Sequence, residues 1–396
     1  METVIANARL RRSSGVWHIG IRDGRIRAVS RDPIPGRQVI HADGGLLTPG
    51  LVETHLHLEK ALTADRISWN EQRPTGHEYR RFQEQITAPL KRGYTHDDIV
   101  QRALQVARMA SAAGTTTMRA QCEVDEDLQL KAIEALLDVR ERVQPFLTLQ
   151  IIAFPPGDIM GAPDVVGLLR RAMELGADGI GGLPELYPEN GEPYLDLLFR
   201  TAAEYGGVVD LHVDQPRDER LFSFPLMVTK ARQYGLEGKV TGAHSNSLAF
   251  QPRDQVLPVL EQMRETGVHL ACLPYGFVEE RIKVPKAMGI AVSLINDNVR
   301  DPWQRGGSAD LVQIAMIYAR TSAVRSDGDL EAAFDMISED GARSLGLSDY
   351  GIREGAWADL VLFRAESVQH VICHHVRPAL VFKAGTIVAQ EGRCLL

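Results

Sequence analysis

Two histidines, His55 and His57, close the apolar run PGLVETHLHLEK, which spans residues 49–60, with the spacing of a pair of metal ligands. Because side chains alternate between the two faces of a strand, both imidazoles point the same way and can bind one ion. His212 and Asp297 also close apolar runs, and an aspartate buried there needs a cation or strong donors. Three imidazoles and one carboxylate around a divalent ion leave a position for water and lower the pKa of that water toward ~7. The set predicts hydrolysis by metal-bound hydroxide.

His244 also closes an apolar run, and we expect it to lie outside the ligand set as a catalytic residue. It would polarise the attacked group or carry a proton, while Asp297 would both touch the metal and accept the proton of the water. Each feature alone is weak, because an exposed H-x-H pair on a loop or a histidine in the interior of a barrel would look the same. The prediction depends on all five residues lying at strand ends.

Eight β-like apolar runs alternate with helical periods and place these residues. The predicted strands are residues 46–58, 115–122, 146–154, 177–183, 208–214, 239–245, 268–274 and 290–297, and helices include 96–113, 127–143, 164–175 and 310–320. This order predicts an α/β fold, a (β/α)₈ TIM barrel whose chemistry lies at the carboxyl ends of the strands. The alternative, a doubly wound sheet, should carry a glycine-rich phosphate loop, and neither usual motif occurs.

Both ends of the chain have a different character. Short β-rich runs turn at Asp23-Gly24 near the start and at Gly385 near the end. We predict that they pair into one small β-sandwich, so that residues 1–48 and 350–396 form a composite domain around a barrel of residues 49–349.

Composition limits the other classes of function. The chain has 396 residues, a net charge of −8 and four cysteines without a C-x-x-C pair. These features argue against a nucleic-acid binder, a disulfide scaffold or a cysteine-rich zinc site. Since no apolar stretch approaches the ~18 residues of a membrane helix, we expect no membrane partner. We also expect a cytoplasmic homo-oligomer with a small-molecule partner.

These motifs resemble the amidohydrolase superfamily, in particular the branch of cytosine deaminases and N-isopropylammelide amidohydrolases. The resemblance rests on the run 49–60, on LQIIAFP at 149–155, on DLHVD at 210–214, on His244 and on DNVRDPW at 297–303. It implies one zinc or iron ion held by His55, His57, His212 and Asp297, a catalytic His244, and Gln150 in contact with a heterocyclic substrate. Binuclear relatives have a bridging lysine at strand four, where GIGGLPE at 179–185 has none, and Lys60 is expected on the surface or behind the site.

Several positions depart from the cytosine deaminases. Gln215 stands where they carry a proton-shuttling glutamate, and an amide cannot transfer a proton in this way. Asp214 could substitute only if the strand has ended before it. Asn298 replaces an aspartate that reads the base, and Trp303 either lines the pocket or packs in a loop. Gln121 stands where histidine is common in both kinds of relative. Gln215, Asp214, Asn298 and Trp303 are therefore predicted, with Gln150, to contact substrate.

Other residues leave alternatives open. Glu185 and Glu189 follow strand four and could reach the pocket, and the polar segment 69–79 is either a lid or an ordinary surface loop. The predicted function is hydrolysis of a C–N bond on a small nitrogen heterocycle, by deamination, amine release or opening of a cyclic amide. The alternatives are a true cytosine-type deaminase that uses His244 and Asp297 for proton transfer, and a catalytically silent barrel.

Overall fold

The computed structural model describes residues 1–69, 78–187, 191–216, 218–322 and 324–396. The chain begins with five strands of a mixed sheet: β1 (Thr3–Leu10), β2 (Trp17–Arg22), β3 (Arg25–Ser30), β4 (Gln38–His41) and β5 (Leu46–Pro49). Asp23 and Gly24 both have positive φ angles, 55° and 70°, so the predicted hairpin joins β2 to β3.

The barrel follows as eight parallel strands in sequential order. They are β6 (Leu51–His57), β7 (Thr115–Glu123), β8 (Thr148–Phe154), β9 (Gly179–Gly182), β10 (Val208–Val213), β11 (Val240–His244), β12 (Val268–Cys272) and β13 (Val292–Leu294). The backbone closes the ring beyond β13, where Leu56 and Asp297 form a parallel bridge and His57 N–H donates to the carbonyl of Asp297 at 2.9 Å. The TIM barrel is thus confirmed, and its closure joins two of the predicted metal-binding positions.

The chain ends with β14 (Leu360–Phe363), β15 (Pro378–Lys383), β16 (Thr386–Gln390) and β17 (Arg393–Cys394). β14 pairs antiparallel with β5, which joins the two ends of the chain in one nine-stranded sheet. Apolar side chains from both ends, among them Ile5, Ile19, Leu47, Leu360 and Phe382, pack in a core of their own. The predicted pairing of the two termini is therefore confirmed.

Helices cover the outside of the barrel. They are α1 (Tyr79–Phe82), α2 (Ala88–Arg92), α3 (His96–Ala112), α4 (Lys131–Val143), α5 (Pro163–Leu175), α6 (Gly191–Glu204), α7 (Phe224–Gln233), α8 (Arg253–Thr266), α9 (Val284–Ala287), α10 (Leu311–Thr321), α11 (Asp327–Met336), α12 (Glu339–Ser344) and α13 (Val368–His374). Asp310 caps α10 by accepting the N–H of Gln313, as its position in the sequence suggests. Within the described ranges, none of the helices is both long and apolar enough to cross a lipid bilayer.

Two predicted strands need correction. The run 46–58 is two strands, because the chain passes from the terminal sheet into the barrel at Gly50, where a Cβ atom would lie 2.0 Å from Oγ1 of Thr116. The last barrel strand stops at Leu294 rather than Asp297, since the backbone turns into a left-handed conformation at Asp297, with φ of 61°. Hydrophobic runs alone do not show either change of direction.

Candidate active site

The four predicted metal ligands converge at the carboxyl end of the barrel. Nε2 of His212 lies 3.0 Å from Nε2 of His57 and 3.3 Å from Nε2 of His55. Oδ1 of Asp297 lies 3.7 Å from the Nε2 atoms of both His55 and His57. Ligands about 2.0–2.1 Å from one ion, at angles of 90–120°, are separated by about 2.9–3.6 Å. The two distances between histidines fall within this range and the two distances to Asp297 exceed it by 0.1 Å, so the spacing fits a single small divalent cation.

The protonation of these residues also suits a metal. Burial is the largest cause that holds the pKa values of His57 and His212 well below the ordinary range, so both imidazoles are neutral at pH 7. A neutral imidazole presents a lone pair, and lone pairs facing each other across 3.0 Å repel unless a proton or a cation lies between them. The set of donors is therefore matched to a bound cation.

Asp210 supports the ligands from beneath. Its Oδ1 lies 3.1 Å from Nδ1 of His55, and its Oδ2 accepts a hydrogen bond from Nη1 of Arg119 at 3.0 Å. Both Asp210 and Arg119 are buried. A carboxylate on Nδ1 leaves the lone pair of His55 on Nε2, the atom that faces His212, which is the usual supporting arrangement for a metal-binding histidine.

Several strand ends have an unusual backbone. His244, Ser245 and Asp297 all have φ near 60°, a conformation that costs free energy for residues other than glycine. The turn places His244 beside the ligands, with its ring centroid 5.3 Å from that of His212. Nε2 of His244 is buried and has no hydrogen-bond partner in the described part of the chain. Burial lowers the pKa of His244 to about 4.

A cavity of about 300 Å³ opens over His57, His212, His244 and Asp297. Its remaining lining is aromatic, aliphatic and polar: Lys60, Tyr79, Phe154, Leu183, Gln215, Asn246, Leu273, Tyr275, Asn298, Trp303 and Gln304. Phe154 stacks on His212, with ring centroids 4.3 Å apart, and Tyr79 stacks on Trp303 at 5.5 Å. Flat aromatic walls with a few amides suit a small planar polar ring.

A buried charge network lies beside the cavity. Lys60 and Lys91 donate to the two carboxylate oxygens of Glu123 at 3.1 and 2.9 Å. Glu123, Glu59 and His57 lie close enough to suggest a second ion. Two ammonium groups already neutralise Glu123, however, so a further cation there would be repelled. Lys60 is therefore buried at the wall of the cavity rather than exposed.

Three of the predicted substrate-contacting residues, Gln215, Asn298 and Trp303, line the cavity. The prediction for Gln150 needs correction. Gln150 precedes Phe154 by four residues in β8, which places it about 13 Å down the strand from the rim. There its Oε1 accepts a hydrogen bond from Nε of Arg119.

The prediction for Asp214 also needs correction. Its carboxylate accepts hydrogen bonds from the backbone N–H and Oγ of Ser223, at 2.8 and 2.6 Å, and from Oγ of Ser247 at 2.7 Å. β10 ends at Val213, and the left-handed backbone of Asp214, with φ of 50°, takes its carboxylate out of the strand alternation and toward these serines. Asp214 therefore braces the loops after β10 and β11.

Sequence reasoning missed several lining residues. Phe154 is the last residue of β8 and Leu273 directly follows β12, so applying the same strand-end rule to every strand would have found them. Asn246 and Tyr275 lie further along the loops after β11 and β12, where the rule gives no signal. Of the residues left open, Glu185 contacts Gln215, whereas Glu189 and residues 70–77 of the 69–79 segment lie outside the described ranges.

Comparison with known proteins agrees with this geometry. Residues 77–389 match the amidohydrolase family. The chain is 29% identical to N-isopropylammelide isopropyl amidohydrolase of Pseudomonas sp. (strain ADP), over 98% of both chains. The structure of N-isopropylammelide isopropylaminohydrolase from Burkholderia multivorans superposes with a TM-score of 0.87, at 30% identity over 99% of this chain and 100% of that one. The structure of 5-methylcytosine deaminase from Klebsiella pneumoniae with 5-fluorocytosine superposes with a TM-score of 0.88, at 27% identity over 98% and 97%. The chain belongs to the amidohydrolase family.

Proposed function

We propose that this protein is a metal-dependent hydrolase that cleaves a C–N bond on a small nitrogen heterocycle, by releasing ammonia or an amine or by opening a cyclic amide. The observation that carries the proposal is the convergence of His55, His57, His212 and Asp297 beneath a cavity whose other wall holds His244. A divalent ion bound there would acidify a water and polarise the attacked group.

The residues of the chain divide the remaining work. His244 is neutral at pH 7 because burial lowers its pKa to about 4, and its free Nε2 can accept a proton or a hydrogen bond at the reacting carbon. Asp297 can hold the proton of the attacking water, because its carboxylate lies at the ligand set. Phe154 and Trp303 line the cavity and would contact the faces of a flat ring, while Gln215 and Asn298 would contact its polar edge.

We propose that each chain binds one metal ion, which is zinc or iron. Three imidazoles and one carboxylate suit either metal. The paired lysines on Glu123 argue against a second ion, and β9 ends in Gly182 without a bridging lysine. Elemental analysis of the purified protein tests both points, with one equivalent of metal per chain as the expected result.

The second candidate is cytosine-type deamination, with His244 and Asp297 sharing the proton transfers. It is favoured by the similarity to 5-methylcytosine deaminase and opposed by Gln215, which cannot shuttle a proton. A catalytically silent barrel is opposed by the complete and closely spaced ligand set.

A release assay separates these functions. The metal-loaded protein is incubated with N-isopropylammelide, cytosine, 5-methylcytosine, a pterin and a cyclic urea, and amine, ammonia and ring opening are measured. We expect amine release to exceed cytosine deamination, and His55→Ala to abolish both turnover and metal binding. Metal-loaded protein that turns over none of these compounds would refute the proposal and favour the silent barrel.

We further propose a cytoplasmic location and a homo-oligomeric state. The location is supported by four cysteines that are all free thiols. Fractionation of cells tests the location, and light scattering of the purified protein tests the oligomeric state.

A further inference from the structure

Glu185 holds the amide of Gln215 at the wall of the cavity. It lies in the 3₁₀ turn Pro184–Leu186, directly after β9, and is partly buried. Nε2 of Gln215 donates to Oε1 of Glu185 at 2.7 Å, and the backbone N–H of Asp214 is 3.3 Å from Oε2. One carboxyl group therefore binds both the side chain of Gln215 and the backbone before it.

This contact determines which end of the amide is turned toward Glu185. Oε1 of Glu185 can only accept when it carries no proton, so it then selects the Nε2 end of Gln215 and leaves Oε1 of the amide for the cavity. Oε1 accepts no hydrogen bond from any residue that the structure describes. Burial, with a smaller effect of Asp214, raises the pKa of Glu185 to about 8, and a proton on Oε2 would still leave Oε1 free to accept. The contact therefore selects this orientation of the Gln215 amide whenever Oε1 of Glu185 carries no proton.

The orientation of a second amide, that of Asn246 beside Gln215, is also determined by its hydrogen bonds. Asn246 donates through Nδ2 to the backbone carbonyl of Gln215 at 2.6 Å and accepts from Nη1 of Arg281 at 2.8 Å. A guanidinium only donates, so the orientation of Asn246 is determined as well. Glu185 holds the side chain of Gln215 and Asn246 holds its backbone carbonyl. The amide oxygen of Gln215 is therefore pre-positioned rather than free to turn.

We propose that Glu185 is a positioning residue that makes Gln215 a hydrogen-bond acceptor toward the substrate, so that the site selects heterocycles with a ring N–H over rings with a bare nitrogen lone pair. This inference rests on the proposed function and narrows its substrate class to cyclic amides and ureas. A ring nitrogen without hydrogen would place its lone pair against the amide oxygen, and a buried acceptor left unpaired costs free energy.

The contact between Glu185 and Gln215 also affects how the activity of a Gln215→Glu variant must be interpreted. That variant would place two carboxyl groups 2.7 Å apart, the distance that now separates Nε2 of Gln215 from Oε1 of Glu185. The two groups would then share a proton over much of the pH range rather than act as an independent acid and base. Glu185→Gln must accompany Gln215→Glu before the role of a glutamate at position 215 can be judged.

The test compares two triazines with the same leaving amine. N-isopropylammelide in its dioxo form has ring N–H groups, whereas its dimethoxy analogue has only lone pairs on the ring nitrogens. We expect kcat/KM of the wild-type protein for isopropylamine release to favour the dioxo compound at least ~100-fold. Glu185→Gln should reduce this ratio at least ~10-fold, because a glutamine partner accepts either orientation of the Gln215 amide.

Ser223→Ala is the matched control, since it weakens the same loop through Asp214 without touching the amide of Gln215. It should leave the ratio unchanged. The steric effect of the methoxy groups is common to all three proteins and cancels when ratios are compared. A Glu185→Gln ratio equal to that of the wild-type protein would overturn the inference.

Binding separates this inference from the proposed function. Calorimetry with metal-loaded His244→Asn protein measures both triazines without turnover. Suppose that the His244→Asn protein binds the dioxo compound preferentially, that the preference disappears when Glu185→Gln is added, and that the wild-type protein releases no amine. This result would support the inference and refute the proposed function for this substrate. Equal binding of the two compounds, or binding of neither, would refute the inference.

Discussion

Replacing Asp210 by asparagine should weaken metal binding and the fold by separate amounts. Asp210 accepts from His55 and Arg119 at 3.1 and 3.0 Å, and both carboxylate oxygens are used. An asparagine has one acceptor, so its amide nitrogen must face one of two donors. Loss of a partner that orients a metal-bound histidine costs 10- to 100-fold in affinity, about 1.4–2.7 kcal/mol. Loss of the buried charge beside Arg119 costs about 3 kcal/mol of the free energy of unfolding, the lower end of the usual range because Gln150 and Thr241 also accept from Arg119.

The two effects are measured separately. Competition with a chromophoric chelator gives the affinity for zinc, and urea unfolding of the metal-free protein gives the free energy of unfolding. Arg119→Met is the control, because it also breaks the buried ion pair but leaves Asp210 beside His55. It should lose comparable stability and keep the affinity for zinc within about threefold of the wild-type value. Asp210→Asn protein with wild-type zinc affinity, or Arg119→Met protein with the same loss of affinity as Asp210→Asn, would refute the supporting role of Asp210.

Three further predictions concern catalysis, pH and packing. His244→Asn, which tolerates the left-handed backbone, should lower kcat about 10²- to 10⁴-fold at unchanged metal content, and an equal loss of metal would contradict the assignment. Burial opposes ionisation of Asp98, but hydrogen bonds from Arg66 and Arg102 lower its pKa to about 2, so its contribution is present above the unfolded pKa of 3.8 and is lost as pH falls toward 2. Asp98→Asn should therefore cost about 1 kcal/mol at neutral pH and little near pH 2 in urea unfolding, the value being reduced for solvent screening. Gly182→Ala would place a Cβ atom 2.4 Å from Cδ1 of Leu198 and should cost about 1–3 kcal/mol in the same assay, whereas Gly191→Ala, with no atom of the described residues within 4 Å, should cost none.

Some features of the site follow from short stretches of the chain. The two-residue spacing of His55 and His57 on a strand requires that both face one side, and the ends of parallel strands meet at one edge of a barrel. His212, His244 and Asp297 therefore could be predicted to join them. The hairpins at Asp23-Gly24 and Gly385 follow from the same kind of local rule, because positive φ angles favour glycine.

Other features depend on residues that are far apart in sequence. Gln150 and Asp214 carry suitable groups, yet depth in the barrel directs one to Arg119, and the left-handed backbone after β10 directs the other to Ser223. Lys60 was expected on the surface or behind the site, and its burial depends on Glu123, which lies 63 residues away. A periodic pattern reports which face of a strand a residue occupies but not the partner it meets there.

The sequence by itself determined the barrel, the pairing of the two chain ends and the convergence of His55, His57, His212 and Asp297, because each depends on strand periodicity and strand order. Only the tertiary structure decided how those residues are supported and which side chains line the cavity. The contacts from Asp210 to His55 and from Glu185 to Gln215 join residues 155 and 30 positions apart. Such contacts depend on the packing of whole strands and loops against one another, which no local pattern encodes.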